Sequence, residues 1–169
     1  KIEKHNPYIV FAIGAAHATK RLPTEKIIAI CQRITKSIIL IGGKDVEEEG
    51  HRIANESGSQ VQNLCGKISL HDSARYIRDA QKVITHDTGM MHIAAAFGKE
   101  IISIWGNTIP EFGMYPYDRM GGKKNKTIEV NGLSCRPCSK IGYSACPKGH
   151  FNCMNQIQEE QIILAVKGK

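Results

Sequence analysis

Five apolar, β-branched runs recur along the chain, and segments with helical periodicity separate them. The runs are YIVFAIGAA (8–16), SIILIGG (37–43), VQNLCG (61–66), KVITHD (82–87) and EIISIWG (100–106). Each is almost continuously apolar, as expected for a strand that is covered on both faces. Strand and helix therefore alternate at intervals of about twenty residues. This alternation predicts an α/β fold, a doubly wound parallel sheet in one domain over residues 1–169.

The segments between the runs carry signals for helix ends. Pro23 suits a first helical position, Ser69 followed by Asp72 is close to a capping box, and Gly98 is expected to close a helix. After the fifth run the regularity breaks. The N-terminus, KIEKHNPYIVF (1–11), is expected to be a linker that runs straight into a buried strand. The predicted helices span 23–35, 45–57, 69–80, 88–98 and roughly 154–167, with a loop at 107–126 and a short strand at 126–132.

A formal net charge of +7 over 169 residues indicates an anionic partner: nucleic acid, an anionic membrane surface or a phosphorylated small molecule. The basic residues are scattered and do not interleave with aromatic residues, which disfavours nucleic acid. A solvated basic surface explains the charge equally well. No apolar run reaches the ~18 residues of a membrane helix. The chain starts without Met and without a signal peptide, so we expect it to be a piece of a longer protein.

Ligands of parallel α/β sheets bind at the carboxyl ends of the strands. The first strand is followed by GAAHATKRLP (14–23), where small residues allow a ligand close to the backbone and Lys20 and Arg21 add positive charge. The second strand ends in GGKD (42–45), and the fourth runs directly into HDTGMMH (86–92). Because the first and fourth strands of such a sheet are neighbours, Lys20, expected to be exposed, and the 88–92 turn should meet at one site.

The turn after the fourth strand has the pattern of an anion site. Thr88 and Gly89 fall in a first helical turn, where backbone N–H groups lack partners within the helix. Those groups and the helix dipole favour phosphate, and His92 is expected on the same helix face. The alternative is structural: Asp87 only caps the helix, and His92 is a histidine of the core.

Three segments resemble those of glycosyltransferase family 9, which includes the lipopolysaccharide heptosyltransferases. HDTGMMHIAAAFGKEIISIWG (86–106) resembles the family's D-T-G-x-x-H-x-A-A segment. GAAHATKRLP resembles its first donor-side loop, and CRPCSKIGYSACPKGHFNCM (135–154) resembles its late C-x-x-C … C-P-x-G-H-x-x-C-M segment. The three motifs occur in the family's order and cover most of the chain, so their combination is specific.

The resemblance implies one half of a GT-B enzyme, which has two Rossmann-like domains. This chain corresponds to the C-terminal, nucleotide-sugar-binding domain; the N-terminal acceptor domain with the catalytic base is missing, so the chain alone should be inactive. The implied reaction is inverting and needs no metal or other cofactor, in agreement with the absence of an Asp-x-Asp pair. It transfers heptose from ADP-heptose to a lipid-linked lipopolysaccharide core acceptor. The implied location is the cytoplasm, with peripheral attachment to the inner membrane left open.

The resemblance also implies roles for single residues. Lys20 would contact the diphosphate and stabilise the leaving group, and Asp45 would replace an acid that binds the ribose hydroxyls. Thr88, Gly89, Met90 and His92 would surround the diphosphate and sugar. The predicted donor-binding residues are Lys20, Arg21, Gly43, Lys44, Asp45, Asp87, Thr88, Gly89, Met90 and His92. The chain departs from the family at Asp45, which is a longer Glu in some relatives, and at His86, often Asn or a small residue.

Four cysteines near the C-terminus have a spacing that structural zinc sites use. They are Cys135, Cys138, Cys146 and Cys153, with His150 as a further candidate ligand. Reduced thiols or a disulfide are the alternatives, and zinc is not the favoured reading. Cys31 and Cys65 are expected to be buried thiols.

Two further points stay open at the level of sequence. In the stretch 114–120, Tyr115 and Tyr117 either stack on a sugar or nucleoside or simply pack on the surface. For the function, a non-catalytic nucleotide-binding module is the main alternative. A hydrolysing nucleotide-sugar epimerase shares the architecture, but it needs a pair of catalytic acids that the sequence does not reveal.

Overall fold

The computed structural model describes residues 7–117 and 125–168. Six parallel strands form one sheet in the order β3-β2-β1-β4-β5-β6. The strands are β1 (Tyr8–Ala12), β2 (Ser37–Ile41), β3 (Val61–Asn63), β4 (Lys82–His86), β5 (Glu100–Trp105) and β6 (Asn125–Glu129). The helices are α1 (Thr24–Arg33), α2 (Glu47–Ser57), α3 (Leu70–Asp79), α4 (Gly89–Ala96), α5 (Asn152–Asn155) and α6 (Glu159–Lys167).

Helices cover both faces of the sheet, which is why the strands are apolar throughout. All five residues of β1 are buried. Ile9 and Phe11 of β1 belong to a core cluster with residues of α1, α2 and α6, whereas Tyr8 and Val10 belong to a second cluster with residues of α3 and α4. The doubly wound parallel sheet predicted from the sequence is therefore confirmed.

The direction of winding reverses at β1, which pairs with β2 on one side and β4 on the other. This reversal is the topological switch point, where a crevice opens beyond the carboxyl ends of the strands. The predicted adjacency of the first and fourth strands is confirmed. It brings the loop after β1 next to the turn that follows β4.

Local capping sets the helix ends within a few residues of the predicted ones. α1 begins at Thr24, so Pro23 precedes the helix instead of opening it. Ser69 caps α3 by accepting from the Asp72 amide at 3.1 Å, and its hydroxyl donates to the Asp72 carboxylate at 2.7 Å. Gly98 follows the end of α4 with a φ of 62°, a conformation that glycine adopts without strain.

Two predicted elements differ in the structure. Residues 44–46 form a short 3-10 turn, so α2 starts only at Glu47. The predicted C-terminal helix is divided into α5 and α6. The division falls where Lys26 of α1 donates to the Ile157 carbonyl at 2.9 Å and pairs with Glu159, a tertiary contact that no local pattern signals. Residues 118–124 of the predicted loop and residues 1–6, the start of the predicted linker, lie outside the described residues.

None of the helices in the described part of the chain combines the length and the apolar character that a membrane crossing requires.

Candidate functional site

A cleft of about 530 Å³ opens at the carboxyl ends of β1, β2 and β4. Its walls come from the loop after β1, the turn after β2 and the first residues of α3 and α4. The volume lies within the range of small-molecule and cofactor sites. Five of the predicted donor-binding residues line it, namely Gly43, Asp45, Thr88, Gly89 and Met90.

Small residues form the floor of the cleft and leave the backbone open to a ligand. Gly14 follows β1 and Gly42 follows β2, and both line the cleft. A Cβ atom at Gly42 would lie 2.4 Å from Val46 Cγ2, so the turn tolerates no side chain there. A Cβ atom at Gly89, by contrast, would meet nothing within 4 Å. Gly89 is therefore free of packing constraints within the protein and faces open space.

The N-terminal end of α4 is capped by Thr88. The Thr88 hydroxyl accepts from the Met90 amide at 3.3 Å, and the first turn of the helix borders the cleft. First-turn amides lack partners within the helix and attract anions. The structural alternative for this segment is wrong on both counts, because Thr88, not Asp87, is the cap and His92 is exposed instead of lying in the core.

Lys20 lies beside the turn after β4, but within a polar cluster and not on the wall of the cleft. Its ammonium nitrogen is 2.7 Å from Asp87 Oδ2, and the Thr108 hydroxyl donates to the same oxygen at 2.9 Å. The side chains of Lys20 and Asp87 are only 12% and 6% exposed. The expectation of an exposed Lys20 is therefore wrong, because a tertiary carboxylate partner allows the ammonium to be buried.

Arg21 joins the two loops at the mouth of the cleft. Its Nε donates to the Ala15 carbonyl at 2.9 Å, and its Nη2 contacts Asp45 Oδ2 at 2.5 Å. The Asp45 side chain stays 58% exposed, so it can also reach a ligand. Arg21 itself does not line the cleft, and neither do Lys44 and His92, which are exposed.

His86 is buried at the end of β4 and forms a hydrogen bond with residues 18–22, the turn that carries Lys20 (the Lys20 segment). The Leu22 amide donates to His86 Nε2 at 3.0 Å, which requires that nitrogen to be unprotonated. Burial lowers the pKa of His86 to about 4; the Gly14 backbone opposes the shift and the charge of Arg21 adds to it. The imidazole is thus neutral in the folded protein at neutral pH.

This histidine makes the fold sensitive to acid. The pKa of a histidine in the unfolded chain is about 6.5. Between pH 6.5 and 4 the histidine is therefore protonated in the unfolded chain, whereas His86 stays neutral in the folded protein. Stability should be full above pH 6.5 and fall as the pH drops toward 4, by about 3 kcal/mol in all. Thermal melts of the wild type and His86→Asn between pH 7 and 4.5 should show a smaller acid shift for the variant. His51→Asn, at an exposed position, is the control; equal shifts for wild type and His86→Asn would contradict the assignment.

The cysteine-rich loop, residues 130–151 between β6 and α5, packs against the Lys20 segment. The Thr19 hydroxyl accepts from the Tyr143 amide at 2.8 Å and donates to the Tyr143 carbonyl at 3.1 Å. The Thr19 amide donates to that carbonyl at 3.2 Å. This loop therefore braces the turn that carries Lys20.

All six cysteines are free thiols, and Cys31 and Cys65 are buried as expected. Burial raises the pKa of Cys153 to about 11, and Cys138 and Cys146 add to the shift. Among residues 7–117 and 125–168, however, no three His, Cys, Asp or Glu side chains are arranged to hold a metal ion. The four cysteines near the C-terminus thus form no disulfide in the structure.

Sequence reasoning missed the apolar wall of the cleft. Leu70 and Ile93 line it together with Met90, and Leu70 is 61% exposed. Leu70 continues the helical stripe of Ser73 and Ile77, so it looks like a core residue in the sequence. Its position at the first turn of α3 places it over the cleft instead. Tyr115 and Tyr117 are exposed and do not line the cleft, and their stacking role remains a prediction.

Comparison with known proteins agrees with this architecture. Residues 1–147 match the sequence profile of glycosyltransferase family 9 (heptosyltransferase). Lipooligosaccharide heptosyltransferase 2 of Campylobacter jejuni is 26% identical over 134 residues, which cover 77% of this chain and 40% of that protein. The chain thus spans less than half the length of the relatives it matches.

Two solved structures share the fold. The structure of Escherichia coli ADP-heptose lps heptosyltransferase II matches 96% of this chain and 46% of its own, with a TM-score of 0.76 and 19% identity. The E. coli heptosyltransferase WaaC with ADP matches 98% of this chain and 45% of its own, with a TM-score of 0.72 and 24% identity. The sequence profile covers well over half of the chain, so this protein belongs to glycosyltransferase family 9, the heptosyltransferase family.

Proposed function

We propose that this chain is the donor-binding domain of an inverting, metal-independent GT-B glycosyltransferase that transfers heptose from ADP-heptose to a lipopolysaccharide core acceptor. In this proposal, residues outside the chain bind the lipid-linked acceptor and supply the catalytic base. The observation that carries the proposal is the cleft at the switch point, where the capped N-terminal end of α4 and the Lys20–Asp87 pair flank the same turn.

The chemistry of glycosyl transfer fits such a cleft. The bond between the anomeric carbon and the diphosphate breaks, and negative charge accumulates on the leaving diphosphate. Preorganised amides and cations aimed at that charge lower the barrier, each by a few kcal/mol. The first-turn amide at Gly89 would contact the diphosphate, with the Lys20 ammonium beside it. Protein cations would then take the role that a metal ion has in other transferases.

The rest of the cleft suits a nucleoside. Leu70, Met90 and Ile93 form an apolar wall of the kind that packs on a flat base. Asp45 lies across the cleft with a half-exposed carboxylate, an acceptor for ribose hydroxyls. Among the structural relatives, one heptosyltransferase is solved with ADP and again with ADP-2-deoxy-2-fluoro heptose. These structures of a relative support an ADP-linked donor for this chain.

The test is calorimetric titration of the chain with ADP, GDP, UDP and adenosine. We expect ADP to bind more tightly than adenosine, because the diphosphate adds contacts at Gly89 and Lys20, and binding should raise the melting temperature. Failure of every nucleoside diphosphate to bind at millimolar concentration would contradict the donor-domain proposal.

A heptose-transfer assay then distinguishes a domain of an enzyme from a non-catalytic nucleotide-binding module. A gene product that includes the acceptor domain should transfer heptose, whereas this chain alone should not.

A further inference from the structure

The Asp87 carboxylate lies directly before the capped end of α4, but its contacts are with other side chains of the protein. Its Oδ2 receives two donors, the Lys20 ammonium at 2.7 Å and the Thr108 hydroxyl at 2.9 Å. With 6% of its side chain exposed, it offers little surface to a ligand. The carboxylate therefore acts on Lys20 before any donor arrives.

Thr108 is held in place by Arg136, which binds its main-chain carbonyl. It is fully buried, and its carbonyl accepts from Arg136 Nη2 at 3.0 Å. The Arg136 side chain is 6% exposed, pairs with Glu129 at 2.6 Å and also donates to the Gly106 carbonyl. A buried hydroxyl must find a hydrogen-bond partner. The Thr108 hydroxyl uses Asp87 and thereby fixes the orientation of that carboxylate.

We propose that Thr108 and Asp87 are positioning residues that hold the Lys20 ammonium ready for the diphosphate of the donor. This inference rests on the proposed function of the cleft. A lysine side chain is a flexible four-carbon stem, and immobilising it on binding costs affinity. The two contacts on Asp87 Oδ2, from the Lys20 ammonium and the Thr108 hydroxyl, restrict that stem within the protein itself, so less order has to be imposed when a ligand binds. Neither residue has to touch the donor for this effect.

Thr108→Val removes the hydroxyl at nearly constant volume and tests the role directly. We expect the affinity for ADP to fall by about three- to tenfold, while the affinity for adenosine, which lacks the diphosphate, stays unchanged. Thr108→Ser restores the hydroxyl and should bind ADP as the wild type does. Thr127→Val, at an exposed position on β6, is the matched control. Should Thr108→Val fail to fold, Thr108→Ala is measured in the same way.

The outcomes are distinct. A selective loss for ADP that serine rescues supports the positioning role, and in a Lys20→Ala background the valine substitution should then have no further effect on ADP. Equal losses for ADP and adenosine mean that Thr108 only maintains the fold, and they overturn the proposal, as does an unchanged ADP affinity. If the wild-type chain binds no ADP, the proposed function fails, and the positioning role fails with it.

Discussion

Lys20→Ala should weaken ADP binding by about ten- to a hundredfold, because a charge-assisted contact to the diphosphate is worth about 1.5–3 kcal/mol. The affinity for adenosine should change little. Titration calorimetry of wild type and variant with both ligands measures the difference. Equal affinities for ADP in the two proteins would remove Lys20 from the diphosphate site.

The same substitution should also lower stability, since the structure pairs Lys20 with a buried carboxylate. Removing one partner of a buried pair leaves the other uncompensated, at a cost of about 3 kcal/mol. For a chain of this size that corresponds to a fall in melting temperature of roughly 6–12 °C. Lys36→Ala is the control, because Lys36 is exposed just before β2, at the amino ends of the strands and away from the cleft. Its melting temperature and ADP affinity should match those of the wild type.

Gly89→Val should abolish most ADP binding by a different route and leave the fold intact. A Cβ atom at Gly89 meets no protein atom within 4 Å, so the branched side chain fits the protein and occupies space at the helix end where the phosphate would lie. We expect a loss of about ten- to a hundredfold in ADP affinity, with a melting temperature close to that of the wild type.

Ala96→Val is the control for Gly89→Val, since Ala96 is exposed at the other end of the same helix. It should bind ADP normally. Strong ADP binding by Gly89→Val would show that no ligand approaches the helix end. A large fall in its melting temperature would instead indicate a packing role that the open space around Gly89 does not predict.

The sheet and the helix end at Gly89 could be predicted because their signals are local. β1 and β4 are runs of buried apolar residues, and Thr88 and Gly89 are the residue types that begin helices beside a ligand. The adjacency of β1 and β4 then follows from the topology of a doubly wound sheet. None of these inferences needs a side-chain contact between distant segments.

The environment of Lys20 could not be predicted for the opposite reason. Its partner Asp87 and the hydroxyl of Thr108 come from segments far apart in the chain, and Thr108 lies in an irregular loop whose sequence carries no periodic signal. A lysine after a strand is by default an exposed charge. Only the packed structure shows that two polar side chains replace water around it.

The hydrogen bonds between Thr19 and Tyr143 join residues 124 positions apart. A contact of such long range forms late, because the entropy of closing a large loop must be overcome first. During synthesis the turn that carries Lys20 emerges well before Tyr143, the residue that braces it. A nascent chain that ends after β5 would contain both sides of the crevice but lack this brace. We therefore expect the hydrogen bonds between Thr19 and Tyr143 to form after β1 and β4 have paired.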